Sequence, residues 1–307
     1  LRNLDDNENS RGDYYVERIN VAVDHIVNHL DHPLDLQTIA EVGCISPFHF
    51  HRVFKSVMGE TLSQFVKRVR LERALWMLSH QPGLTLTQIA WAVGFQSSSD
   101  FSRSFKGRYG IPPSRFDVKT FRAGRRAELE AATRGLESYR IDGRKSVEGN
   151  PDGFEVEIRR LPARCVAYIR VIDSFKPDRV KRAIERLTTW AEERGLADGQ
   201  WLGYMWDDPE IVALKDCRYD VGLVVPDVSP QGEVGRFDFP AMTVAEVELK
   251  GSIDLEMRAI DWLYGVWLPH SGYILDDHPG FEAWIGRPFR HGDEYFEFKA
   301  QLPVRRR

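Results

Sequence analysis

Residues 89–110 read IAWAVGFQSSSDFSRSFKGRYG, and about fifty residues earlier residues 39–59 read IAEVGCISPFHFHRVFKSVMG. Each opens on Ile-Ala in a short apolar helix, makes a tight turn, and enters a second helix. Phe50, Arg52, Phe54 and Lys55 of the first match Phe101, Arg103, Phe105 and Lys106 of the second. Repetition of a helix-turn-helix unit puts two helices on one chain that can enter DNA grooves. The pattern therefore predicts a DNA-binding protein.

Local physics agrees. Ser46 is placed to be an N-cap, with Pro47 at the first helical position, where its missing N–H costs nothing. Ser97 to Asp100 has the Ser-x-x-Asp spacing of a capping box. Phe50 and Phe54 are four apart and share a helix face, as do Phe101 and Phe105, so these rings should be buried. The second unit has Gly94 at its turn. The first has Gly43 one residue early, so Cys44 stands at the turn position.

Charge is distributed in the same sense. Residues 46–126 hold fourteen Lys and Arg against four acids, Glu60, Glu72, Asp100 and Asp117, although the whole chain carries −4. The acidic balance lies after Pro151. One half is built to meet phosphate and the other is not.

The stretch 36–116 resembles the AraC/XylS family of bacterial transcription regulators. The residues that carry the likeness are Gly94-Phe95, Phe101, Phe105-Lys106, Gly110 and Pro112-Pro113-Ser114-Arg115, with Arg70-Leu71 and Arg73-Ala74 upstream. The resemblance implies seven helices in two subdomains, joined by a long helix at about 61–79. It implies recognition helices that enter successive major grooves of double-stranded DNA, with RNA polymerase as a further partner. By matched position the DNA-binding residues are Phe48, His51, Arg52 and Lys55 on one recognition helix, and Ser98, Ser99, Asp100, Arg103 and Lys106 on the other. Gln64 and Lys67 lie on the linking helix. Arginine can grip guanine with two hydrogen bonds, worth roughly 1–3 kcal/mol of discrimination. The alternative for Arg52 and Arg103 is phosphate contact, and for Ser98 and Asp100 helix capping alone. Short serines reach base edges poorly, so the second half-site should be read less sharply.

After a polar tail at 1–12 and a DNA-binding domain at 13–118, residues 119–153 read as a linker with a helix at about 127–136. From 154 to 304 the pattern alternates like strands. Strands are expected at 155–160, 164–172, 201–206, 219–225, 235–239, 242–251, 281–285 and 294–302, with helices at 177–194 and 253–268. The order β-β-α-β-β occurs twice, so this half should be an α+β domain with a pseudo-two-fold repeat.

This half resembles the GyrI-like domain, through the run GYMWDDP at 203–209, RYDV at 218–221, Phe239-Pro240-Ala241, Phe296-Glu297-Phe298 and Leu302-Pro303-Val304. The resemblance implies a cleft for an aromatic or amphipathic, often cationic, effector. Aromatic faces attract cations at roughly 0.5–2 kcal/mol in dry sites. The effector-binding residues expected are Tyr168, Tyr204, Trp206, Trp262, Trp284 and Tyr295, with Glu297 as the acid. The alternatives are core packing for any one ring and a surface ion pair for Glu297. Glu297, Lys299 and Gln301 should share one face of the last strand, opposite Phe296, Phe298 and Ala300.

No apolar run approaches the ~18 residues of a membrane span. Cys44, Cys165 and Cys217 are odd in number and widely spaced, which suggests a reducing cytoplasm. His49 and His51 are two apart on a helix and do not face each other, so no metal site is expected, and no cofactor. No Gly-rich phosphate loop or G-x-S-x-G elbow is present. The expected protein is a cytoplasmic, ligand-responsive regulator, bound at the nucleoid when on DNA, and not an enzyme. Two other readings stand beside it. One is hydrolysis of strained small molecules in the second domain by a buried Glu and an aromatic hydroxyl. The other is constitutive DNA binding with a protein-docking second domain.

Overall fold

The computed structural model describes residues 2–133 and 149–307, apart from Pro82, Pro177, Pro230 and Asp293. The chain divides into two compact units that meet in sequence near Arg125 and Arg126.

The first unit is helical: α1 (Arg2–Asn28), α2 (Leu36–Val42), α3 (Pro47–Met58), α4 (Leu62–His80), α5 (Leu86–Ala92), α6 (Ser98–Tyr109) and, running past the unit's end, α7 (Val118–Thr133). Buried Ile19, Ala22, Val23 and Ile26 recur at helical spacing along α1 and join Ile39, Phe50, Phe54 and Phe65 in one core. All four recognition-helix rings, Phe50, Phe54, Phe101 and Phe105, are fully buried, as their i,i+4 spacing requires. Helix α1 runs on through the polar stretch read as a tail. Once a helix is nucleated by a packed segment, each added residue gains a hydrogen bond without a new nucleation cost. Helix α7 likewise begins at Val118 and not near 127, and the end expected at 136 lies outside the described residues.

Caps decide where the inner helices start. Thr61 and Gln64 form a reciprocal capping box on α4, and Thr85 and Gln88 form another on α5. Ser97 accepts from the Asp100 N–H at 3.1 Å. Ser46 occupies the N-cap of α3 without a side-chain cap bond, so Pro47 alone marks that start. Both turns need left-handed backbone: Gly94 has φ 84° and Cys44 has φ 52°. The displaced glycine therefore leaves the first turn's geometry intact and puts the strain on a cysteine.

The second unit holds β1 (Glu157–Leu161), β2 (Arg164–Ile172), α8 (Arg179–Glu192), β3 (Trp201–Met205), β4 (Arg218–Val225), β5 (Gly235–Phe239), β6 (Met242–Gly251), α9 (Ile253–Trp262), β7 (Tyr273–Leu275), β8 (Phe281–Trp284) and β9 (Phe296–Arg306). The helix expected to run to 268 changes to a π-turn at Leu263–Trp267 and ends in a last turn, α10 (Leu268–His270). Strand β7 is only three residues long, too short for alternation to reveal.

The strands form one antiparallel sheet in the order β1-β6-β9-β8-β3-β4-β2-β5, with β7 added to β9. Exchanging the two halves of the repeat reverses this order into itself, so the pseudo-two-fold passes between β3 and β8. Each half lends its first strand to the other half: β1 pairs with β6, and β5 lies beside β2. Alternation then sorts the side chains. Val166, Tyr168, Leu202, Tyr204, Phe239, Met242, Val244, Phe281 and Ala283 make one core without any helix residue. The Phe239 ring reaches Tyr204 at 5.3 Å and Phe281 at 5.0 Å across intervening strands, so the sheet curls over this inner face. Helices α8 and α9 cover the other face, with Ala183, Ile184, Leu187 and Ala259 buried there.

Candidate nucleic-acid interface and acid pair

In the helical unit, α3 exposes Phe48, His51, Arg52 and Lys55, and α6 exposes Ser98, Ser99, Arg103 and Lys106. Phe48 is 74% exposed, a position no packing argument explains, and the Arg52 guanidinium lies 5.8 Å from its ring. A groove of about 520 Å³ joins the two recognition units and is lined by His51, Ser63, Lys67, Gln96 and Asp100 among others. Of the expected readers, His51 of α3, Lys67 of α4 and Asp100 of α6 line this groove. Asp100 is half-buried at the start of α6, 3.7 Å from Arg103. The Gln64 amide oxygen accepts from the Thr61 N–H at 3.0 Å as part of the α4 capping box.

Not all of the positive charge is available to phosphate. Arg68 is buried and donates to Glu60 at 2.6 Å and to Glu72 at 3.0 Å. Arg108 of α6 donates to the same Glu72 at 2.7 Å, which ties the linking helix to the second recognition helix. Arg70 donates to the carbonyls of Leu30 at 3.0 Å and His32 at 2.8 Å. These arginines hold the subdomains in register, a role that charge counting cannot separate from DNA contact.

In the sheet unit the expected effector residues fall on two faces. Tyr168 and Tyr204 are 1% exposed on the inner face, and Trp206 donates to Asp220 at 2.6 Å there. Glu297 shares that face with Lys299 and Gln301, as alternation predicts, and is held by Arg290 at 2.9 Å and His291 at 3.2 Å. Trp284 belongs to the helix-covered face, and Trp262 lies on α9 against Phe154. Tyr295 is exposed. Rings on opposite sides of a sheet cannot line one cleft, so this set does not converge. The acids of the GYMWDDP and RYDV runs are also engaged. Asp207 takes three hydrogen bonds from Arg218, and Asp220 takes a bidentate pair from Arg170.

The helix-covered face holds what the sequence reading missed. Glu282, at the centre of β8, pairs in register with Gly203 of β3, beside the pseudo-two-fold. Tyr219 donates to its Oε2 at 2.7 Å. Any side chain at Gly203 would overlap the Tyr219 hydroxyl and crowd Glu282, so glycine is required beneath this pair. Glu256 of α9 is buried nearby and feels the Glu282 charge. Burial pushes the Glu282 carboxyl up to about 7, against the Tyr219 hydrogen bond. Burial, and then the neighbouring Glu282, push Glu256 well above the carboxylate range. One signal was legible: Glu256, Ala259 and Leu263 follow the apolar spacing of α9, which marks Glu256 as inward-facing.

Comparison with known proteins accounts for both units. Residues 39–118 match the helix-turn-helix domain family, and residues 154–305 match the GyrI-like small molecule binding domain. The chain carries an AraC-type helix-turn-helix domain and a GyrI-like domain. It is 23% identical over 284 residues to an uncharacterized HTH-type transcriptional regulator, YbfP, of Bacillus subtilis, covering 88% of this chain and 89% of that one. Among solved structures, an AraC-type regulator domain from Chromobacterium violaceum is 28% identical. It covers 32% of this chain and 86% of its own, at a TM-score of 0.30. The EcmrR C-terminal domain is 19% identical, over 50% of this chain and 99% of that one, at 0.40. In the GyrI-like domain of this chain, then, Glu282 lies on the sheet face that carries the two helices, and Glu256 is buried on α9. The AraC-type domain presents the exposed Phe48 and Arg52 surface. Among the described residues, no helix is long and apolar enough to cross a membrane.

Proposed function

We propose that this DNA-binding transcription regulator responds to a small cationic effector, received at Glu282 and Glu256 of its GyrI-like domain. The observation that carries this reading is the part-buried Tyr219–Glu282 hydrogen bond on the helix-bearing face of the sheet beside the pseudo-two-fold, with the buried Glu256 carboxyl close enough to feel the Glu282 charge. Among the described residues neither acid has a basic partner, and the surrounding protein makes both the half-buried Glu282 and the buried Glu256 costly to ionise, which favours their protonated forms. A ligand cation that replaces the proton restores the charge balance. Trp262 and Trp284 are on the correct side to serve as aromatic walls.

A planar cationic dye titrated into the DNA-free chain should quench tryptophan fluorescence. Glu282→Gln should weaken the dye by thirtyfold or more, since removing one partner of a buried charge pair costs about 2–5 kcal/mol. A neutral dye of the same shape should be little affected. Wild-type affinity for the cation should fall up to tenfold per unit as pH drops below about 7, because the proton then competes for Glu282. Equal cation affinity in wild type and variant would reject the assignment. For the ligand to regulate, it must bind two conformations of the chain unequally.

On the DNA side, Arg52 is proposed as the chief base reader and Ser98 and Ser99 as minor ones. Arg52→Ala should relax base preference in one half-site by about 1–3 kcal/mol, while Ser99→Ala changes little. Selection from randomised duplexes reads both. Equal relaxation from the two helices would show that α6 reads bases as directly as α3. A second reading draws on the same acid pair: Glu282 and the Tyr219 hydroxyl could act as acid and base on a strained substrate. Turnover by wild type that is absent in Glu282→Gln would favour it.

A further inference from the structure

A groove of about 340 Å³ lies at the far edge of the sheet domain, lined by Ile158, Arg159, Arg160, Thr243, Tyr273, Arg305 and Arg306. Register explains its make-up. Arg160 pairs with Thr243 across β1 and β6, and Tyr273 pairs with Arg306 across β7 and β9. By alternation, Ile158, Arg160, Thr243, Tyr273 and Arg306 project from the same face. Trp267, from the π-turn after α9, stacks on Tyr273 at 6.1 Å and 20°, which makes a flat aromatic wall.

The charges here are unbalanced. Arg159 turns to the opposite face, where Glu246 at 3.1 Å and Glu157 at 3.6 Å hold it. Arg160, Arg305 and Arg306 have no carboxylate partner among the described residues. Like charges gathered around one groove repel. Acids outnumber bases in this half of the chain, so a cluster of unpaired guanidiniums here is not a consequence of composition. Arginine forks match phosphate oxygens two at a time, and an aromatic wall beside them suits a planar ring.

We propose that this groove is an anion site for phosphoryl groups, gripped by Arg160 and Arg306 with Tyr273 as the wall. It is separate from the Glu282 pair and does not depend on it. The phosphoryl group can come from a free nucleoside diphosphate or from a DNA backbone, and one set of variants of the full-length chain distinguishes them. The first arm titrates ADP and inorganic pyrophosphate into DNA-free protein by calorimetry, with wild type, R160A/R306A and R160K/R306K. If the source is a free nucleotide, ADP binds, R160A/R306A loses at least tenfold, and R160K/R306K also loses because the fork is gone though the charge remains. The second arm measures affinity for a long non-specific duplex against salt. If the source is DNA, R160A/R306A lowers the log–log slope by about 2, at roughly 0.9 per phosphate contact, and R160K/R306K leaves it near wild type. Both arginines are exposed, and the lysine pair reports on folding independently of charge. No ADP or pyrophosphate binding together with an unchanged salt slope overturns the proposal.

Discussion

Glutamine in place of Glu282 is expected to raise stability by about 1 kcal/mol at pH 5 and by about 3 kcal/mol at pH 8. Desolvation raises the half-buried Glu282 carboxyl to about 7, whereas the unfolded chain releases its proton near the ordinary value of 4.5. The folded state therefore binds more protons between these limits. The stability this provides is complete below the unfolded value and is lost as pH rises through the folded one. Above pH 7 the fold carries a buried charge that the Gln variant lacks. The Gln oxygen can still accept from the Tyr219 hydroxyl, so the hydrogen bond survives. Urea unfolding of both proteins at pH 5 and pH 8, followed by tryptophan fluorescence, measures the difference of differences. A gain equal at the two pH values would mean that Glu282 is not held protonated. The same substitution should weaken a cationic ligand, so the acid proposed for binding is the one that costs stability.

The second large effect is expected at Gly94. A β-carbon there would overlap the Leu30 carbonyl oxygen and lie 2.7 Å from Nη2 of Arg70, whose Nε donates to that carbonyl. The backbone is also left-handed, at φ 84°. Left-handed strain of about 1–2 kcal/mol and overpacking of about 1–3 kcal/mol point the same way. Gly94→Ala should thus destabilise the helical domain by roughly 2–5 kcal/mol and abolish DNA binding well below the wild-type melting temperature. The matched position in the first unit supplies the opposite test. Cys44 is exposed and already left-handed, so Cys44→Gly relieves strain and should stabilise by roughly 0.5–1 kcal/mol after the glycine entropy cost. Thermal melts of the two variants should move in opposite directions. A harmless Gly94→Ala would mean that the Arg70–Leu30 contact is not formed in solution.

Much of this molecule was readable from local pattern. The two helix-turn-helix units, the buried phenylalanines and the β-β-α-β-β repeat follow from periods of 3.6 and 2 and from capping residues, which act within a few positions along the chain. The alternation in β9 correctly placed Glu297, Lys299 and Gln301 on one face. What alternation cannot say is which face the helices cover. That depends on the exchange of β1 and β5 between halves and on the curl of the sheet, both set by contacts distant in sequence. For this reason Tyr168, Tyr204 and Trp206 proved to be inner-face packing and hydrogen bonding, not a common wall with Trp262 and Trp284. The expectation for Glu297 rests on the same alternation, and whether an acid can hold a ligand depends on what lies opposite it. Glu282 has Tyr219 hydrogen-bonded to it and Glu256 near enough to feel its charge, drawn from β4 and α9, and only packing of those elements partly desolvates the carboxyl. Likewise Arg68 and Arg108 look like phosphate contacts in a charge count, and become internal struts only because α4 and α6 meet at Glu72. Sequence determined which elements form and which way each side chain points along them. Tertiary structure decided which charges were desolvated, because the cost of burying a charge depends on neighbours that the chain brings together from far apart.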